Sequence, residues 1–252
     1  MRFVVLSRKK VIAVISLIVA LIVLSTIVSV SVISVSSNGR KLPIYSVKTE
    51  EKKLAISFDC AWGTDYTDEL LNVMSENDIK CTFFMVEFWT EKHPDFVKKI
   101  SDLGHEIGTH SATHPHMSKM GKSAIEKELK SSKKAISDIT NKPVELFRAP
   151  FGEYNNTVIE TAYENGLYTI QWDVDSLDWK DLSASEITAR VLGKVKNGSI
   201  VLFHNQGKHT AEGIKRIIPE LKKQGYTFVT IGELIYKSDY SILPDGTQIR
   251  NN

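Results

Sequence analysis

Cysteine is nearly absent: 252 residues contain two, Cys60 and Cys81. That excludes a disulfide-built scaffold and any four-cysteine metal ribbon. The pair itself does not read as a disulfide. Cys60 follows one apolar run (LAISFD) and Cys81 opens the next (CTFFMV). If these runs are parallel neighbouring strands, the thiols lie at opposite ends of the sheet. They would be about 15 Å apart, against the roughly 4.4–6.8 Å that a disulfide spans. An excess of basic charge is lacking as well. The formal net charge is +2, and residues 1–10 hold Arg2, Arg8, Lys9 and Lys10 with no acid, so the remainder is net −2 (+2 less +4). A domain with that balance is not built to hold nucleic acid. There is no internal repeat. With 42% apolar and 25% charged residues, the chain is neither disordered nor wholly membrane-embedded.

Charge is missing altogether from residues 11–35, an apolar run long enough to cross a bilayer. The four cations before it predict a cytoplasmic N-terminus, although Arg40 and Lys41 after it soften the asymmetry. A cleaved signal peptide is the alternative. Its apolar core is usually about 7–15 residues and ends near an A-x-A site, which SVISVSSNGR lacks. The expectation is an uncleaved, single-pass anchor in the cell membrane, with secretion after cleavage as its rival. Either way the rest of the chain lies outside the cytoplasm. The predicted divisions are a cytoplasmic stub (1–10), a transmembrane helix (11–35), a stalk (36–51), a catalytic domain (52–236) and a polar tail (237–252).

From residue 52 onward, apolar runs alternate with amphipathic stretches. Predicted strands cover 54–59, 81–86, 106–109, 144–148, 167–173, 199–203 and 226–230. Predicted helices cover 67–76, 94–103, 124–139, 156–165, 184–195 and 211–224. Ser123 with Glu126 and Ser183 with Glu186 have capping-box spacing. Gly104, Gly166, Gly198 and Gly225 stand where helices stop. Strand interiors such as ISF, FFMV and IVLF are apolar throughout, as in a parallel sheet covered on both faces. The fold class is therefore α/β. A distorted (β/α)7 barrel is favoured over an open sheet because polar residues gather at the ends of nonadjacent strands.

Those strand ends carry the chemistry. LAISFDC ends at Asp59, HEIGTHSATH carries His110 and His114, ELFRAPFG presents Arg148, YTIQWDVDSLDW holds Asp175, Asp178 and Trp179, and SIVLFHN ends at His204. Each has a bland reading. Two histidines four apart can be a surface turn, Asp59 a helix cap, His204 a core histidine, Arg148 with Asp178 a structural ion pair, and Trp62 and Trp179 lids on the core. His93, His105, His116 and His209 take the bland reading. Five such ends in this order make the functional reading the stronger one, since two imidazoles four apart can also share a metal.

The order SFDC, HSATH, RAPFG, DSLDW, LFH resembles the five motifs of the NodB-homology polysaccharide deacetylases, carbohydrate esterase family four. The likeness spans about residues 52–235, and FDCAWG looks most like the PdaB-like sporulation branch. The resemblance implies a distorted barrel and a metal-dependent hydrolase of N-acetyl groups on an amino-sugar polymer, peptidoglycan first. It implies that His110 and His114 hold a divalent metal, usually zinc, and that Asp59 is the general base. Arg148 would pair with Asp59 and keep it ionised. The Phe151 N–H would hold the oxyanion. His204 would be the general acid, with Asp178 beside it, and Trp179 and Leu202 would border the acetyl group. One position departs from the pattern. The family's third metal ligand is an aspartate, and Cys60 stands there. A thiolate could replace it toward zinc, Asp65 could swing in, or the protein could have kept its glycan groove without turnover. Trp62, Trp89 and Trp179, near strand ends, are candidates for stacking on sugar rings.

Overall fold

The computed structural model describes residues 39–251. Its central strand runs over Lys53–Cys60, preceded by the short β1 at Ser46–Val47, and is therefore β2. Seven of its eight residues are buried, because neighbours cover both faces. Alternation sorts them. Leu54, Ile56, Phe58 and Cys60 join the large cluster under the helices, while Ala55 joins a second cluster on the opposite face. Ser57 and Asp59 continue that second face toward the C-terminal end of the strand.

The remaining strands are β3 (Thr82–Met85), β4 (Glu106–Thr109), β5 (Leu146–Phe147), β6 (Tyr168–Thr169), β7 (Val174–Asp175), β8 (Ile200–His204) and β9 (Thr227–Phe228). Hydrogen-bonded order is β6-β5-β4-β3-β2-β8-β7, with β9 beside the start of β2, and every pairing is parallel. The two edges, β6 and β7, belong to one stretch of chain, so the sheet is curled into a half-barrel, and β6 and β7 do not pair with each other. Residues 167–173, expected as one strand, thus divide between two partners. At the break, the Asp173 carboxylate accepts from Ile200 N (2.9 Å) and Ser199 Oγ (2.9 Å). Helices α1 (Thr67–Glu76), α2 (Glu87–Lys92), α3 (Pro94–Asp102), α4 (Lys122–Thr140), α5 (Asn156–Glu164), α6 (Ala184–Leu192), α7 (Thr210–Lys223) and α8 (Ile231–Leu234) complete the alternation.

The expected helices lie where the patterning put them and each expected strand has a counterpart; besides the divided 167–173 strand and the unforeseen α2, four differences stand out. The Ser183–Glu186 capping box forms, whereas α4 starts from Gly121 and Glu126 pairs with Lys130 instead of closing a box with Ser123. Thr230 and Glu233 make a box that was not expected. The stalk is not all stalk: Ile44 and Val47 are buried. The polar tail forms a hairpin, β10 (Tyr240–Ile242) and β11 (Thr247–Arg250), that pairs with β1. Its turn is Pro244-Asp245-Gly246, where Gly246 takes φ +85° and the Asp245 carboxylate accepts from Thr247 N.

Both cysteines are free and buried. Cys60 pairs in register with Met85, and Cys81 precedes that strand, so the thiols are offset along the sheet as expected. Among the described residues no helix is long and apolar enough to cross a membrane. The expected anchor at 11–35 lies outside them.

Candidate active site

The strand ends converge on one cleft of about 480 Å³, bordered by Asp59, Trp62, His110, His114, Trp179 and His204, with Phe151, Trp172, Asp175 and Leu202 also on its walls. Register sets the spacing: Asp59, the penultimate residue of β2, sits directly beside His204 at the end of β8. His110 follows β4 and Arg148 follows β5, and Arg148 N donates to Thr109 O across that pair of strands.

Arg148 is fully buried. Its Nη1 donates to Asp59 Oδ1 (2.8 Å), and its Nη2 donates to Ser57 Oγ (2.9 Å) and Gln171 O (3.2 Å). The guanidinium lies over the Phe84 ring at 4.1 Å and also faces Trp172 at 5.5 Å. A buried guanidinium keeps its charge, so it needs a carboxylate beside it. Burial alone would raise the Asp59 pKa, but nearby positive charge, from His110 when it is protonated and from Arg148 and His204, outweighs it and holds the carboxyl below its ordinary value. Asp59 is thus an ionised, largely buried carboxylate on the cleft wall, with Oδ1 committed to Arg148 and Oδ2 3.5 Å from His110 Nε2.

The adjacent strand β8 carries the counterpart of this arrangement. His204 Nδ1–H donates to Asp178 Oδ1 (2.8 Å). Asp178 Oδ2 accepts from His204 N (2.8 Å) and from Thr210 Oγ1 (2.7 Å). Burial would lower the His204 pKa, but the hydrogen bond and charge of Asp178, with Asp59 and Asp175 behind them, raise it above the ordinary value. The cleft therefore sets an ionised carboxylate next to an imidazole that favours its proton. Asp175 is engaged locally, accepting from Leu177 N (2.8 Å).

His110 and His114 face each other, ring centroids 5.0 Å apart. His110 Nδ1 lies 2.8 Å from the Arg148 carbonyl, which can only accept, so Nδ1 carries the proton and Nε2 keeps its lone pair. That orientation is common in metal-binding histidines. Burial, the largest influence on each, lowers both pKa values, that of His114 to about 4, so both rings are neutral. Two imidazoles thus fit a metal, but the third ligand does not. Cys60 points to the helix side of the sheet, packed in the cluster with Phe58 and Met85, because it is one residue out of phase with Asp59. Burial first, then Asp59 and Cys81, push its thiol pKa up, opposite to what a ligand needs. Asp65 is tied to Gln206 on the surface. Among the described residues no three His, Cys, Asp or Glu side chains are grouped to hold a metal. The donor set does not fit the three-ligand centre that the resemblance implies.

The aromatic expectations divide. Trp62 and Trp179 are 63% and 59% exposed at the cleft, whereas Trp89 is buried and donates its Nε1–H to Gly63 O (2.7 Å). Trp89 is a packing residue: α2, not foreseen from the sequence, carries it inward. Phe151 sits in the left-handed region (φ +59°), 57% exposed, its ring 4.6 Å from His114 and stacked on His116 at 4.4 Å. Leu202 is buried in β8 and borders the cleft. Trp172, Asn205 and Gln206 also line it and were not expected. The last two follow His204 directly, which is the signal that could have found them.

The polysaccharide deacetylase family model matches residues 46–170. The peptidoglycan-N-acetylglucosamine deacetylase of Bacillus cereus is 36% identical over 76% of this chain and 92% of that protein. The chain belongs to the polysaccharide deacetylases of carbohydrate esterase family four. PdaA of Bacillus subtilis, a peptidoglycan-N-acetylmuramic acid deacetylase, is 31% identical over 77% of this chain and 76% of its own. A crystal structure from Bacillus anthracis, described as a family-four pseudoenzyme, superposes with a TM-score of 0.75 at 30% identity, covering 83% of this chain and 73% of the other. Other curated relatives are longer: the chain spans 60% of one and 44% of another.

Proposed function

We propose that this chain hydrolyses N-acetyl groups on an amino-sugar polymer, peptidoglycan, outside the cytoplasm. The observation that carries the reading is the pair of oppositely tuned groups in register on adjacent strands at the cleft, Asp59 against Arg148 and His204 against Asp178. Amide hydrolysis needs a base to take a proton from water and an acid to protonate the departing amine. Asp59 Oδ2, the oxygen not held by Arg148, is the base. His204, whose Nδ1–H is given to Asp178, delivers its proton from Nε2. The Phe151 N–H is the oxyanion donor of this reading, and Leu202 and Trp179 border the acetyl methyl. Peptidoglycan is chosen because relatives of known name act on it. The membrane anchor and a role in sporulation belong to the same proposal, resting on residues 11–35 and on the FDCAWG variant.

A second reading has a specific observation behind it. With Cys60 turned into the core, the groove can hold a glycan without turning it over, and a related structure is described as a pseudoenzyme. Acetate release from peptidoglycan and from N-acetylglucosamine oligomers, with and without added zinc and beside a zinc stoichiometry, separates the two. Release that His204→Ala abolishes supports the enzyme. Binding with no acetate under any condition supports the groove. Hydrolysis confined to simple esters or peptides overturns both.

A further inference from the structure

Trp62 is a large apolar side chain left mostly in solvent at the cleft mouth, its ring 5.4 Å from Phe88 and 6.0 Å, edge-on, from His114. The loop that carries it is unusually well fastened. Asn205, 1% exposed, donates from Nδ2 to Gly63 O (3.0 Å) and Thr67 Oγ1 (3.2 Å). Gly63 O also accepts from Trp89 Nε1. Two residues on, Asp65 N donates to Gln206 Oε1 (3.2 Å), and Gln206 Nε2 donates back to the Asp65 carboxylate. Gly63 itself has φ +50°, and a Cβ there would lie 2.6 Å from Gln206 Cδ. The backbone after Trp62 is therefore fixed by side chains from the two residues that follow His204, while β2 fixes the backbone before it.

We propose that Asn205 and Gln206 are positioning residues that hold Trp62 as a rigid wall on which a pyranose ring of the substrate stacks. The inference rests on the glycan reading of the cleft. A sugar ring offers an apolar C–H face with hydroxyls at its rim, which suits an exposed indole beside hydrogen-bonding side chains. An indole already fixed loses little freedom when a ligand arrives, so the fastening contributes affinity without adding a contact. Because the same two residues continue β8, the wall is also held at a constant distance from His204. The bland reading, a lid on the core, fails on exposure: a lid would be covered.

Protein labelled with 5-fluorotryptophan gives one fluorine resonance for each of its four tryptophans, and Trp62→Phe identifies the Trp62 line. Titration with penta-N-acetylchitopentaose should move that line. Trp62→Ala should raise the Kd about tenfold, and where turnover is measurable it should raise KM more than it lowers kcat. Gln206→Ala should broaden or shift the Trp62 line in the free protein and weaken binding in the same direction. If saturating oligosaccharide moves the Trp179 line and leaves Trp62 still, this proposal is overturned and the glycan reading stands. If no line responds and no acetate is released, both fall.

Discussion

At His204 two effects of opposite sign compete, and three carboxylates, Asp178 first, decide between them. Burial disfavours the imidazolium, and Asp178 restores it through a hydrogen bond and a charge. A general acid works below its pKa, so activity should decline as pH rises through the His204 value. Asp178→Asn removes the restoring charge, lowers that pKa and should carry the basic limb of the pH–rate profile to lower pH. An unmoved limb in a folded variant would return Asp178 to a purely structural role. Asp59→Asn and His204→Ala should each cost about 10²–10⁴-fold in turnover, the usual span for a general base or acid, as read by acetate release. Cys60 gives the contrasting case. The resemblance offered it as one candidate for the third metal ligand, yet strand alternation turns it into the core. Cys60→Ser should therefore leave zinc content unchanged, and the native thiol should resist alkylation until the protein unfolds. Cys60→Asp should bury an unpaired carboxylate at a cost on the order of 3–5 kcal/mol, lowering Tm by roughly 10 °C. A sulfur in the zinc shell by X-ray absorption would reverse this assignment.

Elements whose apolar period is long were legible before any coordinates: β2, β3 and β8 read as buried strands and α4 and α7 as amphipathic helices. Short two-residue strands were harder, because β6 and β7 take their identity from partners, not from their own residues. The site was legible at Asp59, His110, His114, Arg148, Asp178 and His204 because each closes or follows an apolar run. It was illegible at Trp172, whose role comes from the curl of the sheet, while Asn205 and Gln206 were overlooked although they follow His204 directly. The C-terminal hairpin carried a Pro-Asp-Gly signal that its polar composition masked. Gln248 locks that hairpin from a fully buried position, accepting from Tyr236 N (2.9 Å) and donating to Tyr236 O (2.7 Å). Gln248→Ala leaves two backbone groups unpaired, at about 1–3 kcal/mol for each that stays buried. The expected result is a lower Tm with unchanged Kd for chito-oligosaccharide, since Gln248 is not among the residues lining the cleft. A tighter test of element packing is Gly207, where a Cβ would fall 2.1 Å from Thr210 Oγ1 and 2.9 Å from Asp178 Oδ2. Gly207→Ala should disturb the support of His204, while Gly121→Ala, with nothing within 4 Å, should not.

At the scale of the whole molecule, the proposed tether is the uncharged run at residues 11–35. Twenty-five uncharged residues in helical form would span about 37 Å, more than the roughly 30 Å hydrocarbon core of a bilayer. Four cations precede the run and two follow it, a bias from which an N-terminus on the cytoplasmic side is expected. The folded unit begins earlier than composition suggests. Lys41 N donates to Asn156 Oδ1 (2.9 Å), and Ile44 and Val47 are buried under the sheet. Backbone held in that way resists proteases, which need an extended, exposed segment. Protease added to intact protoplasts should therefore release the domain by cutting before Ile44, and leave a membrane stub that carries residues 1–10. Released fragments beginning after Val47 would contradict the packing of β1. A secreted form that begins near Ser36 without added protease would show that residues 11–35 act as a cleaved signal and not as an anchor.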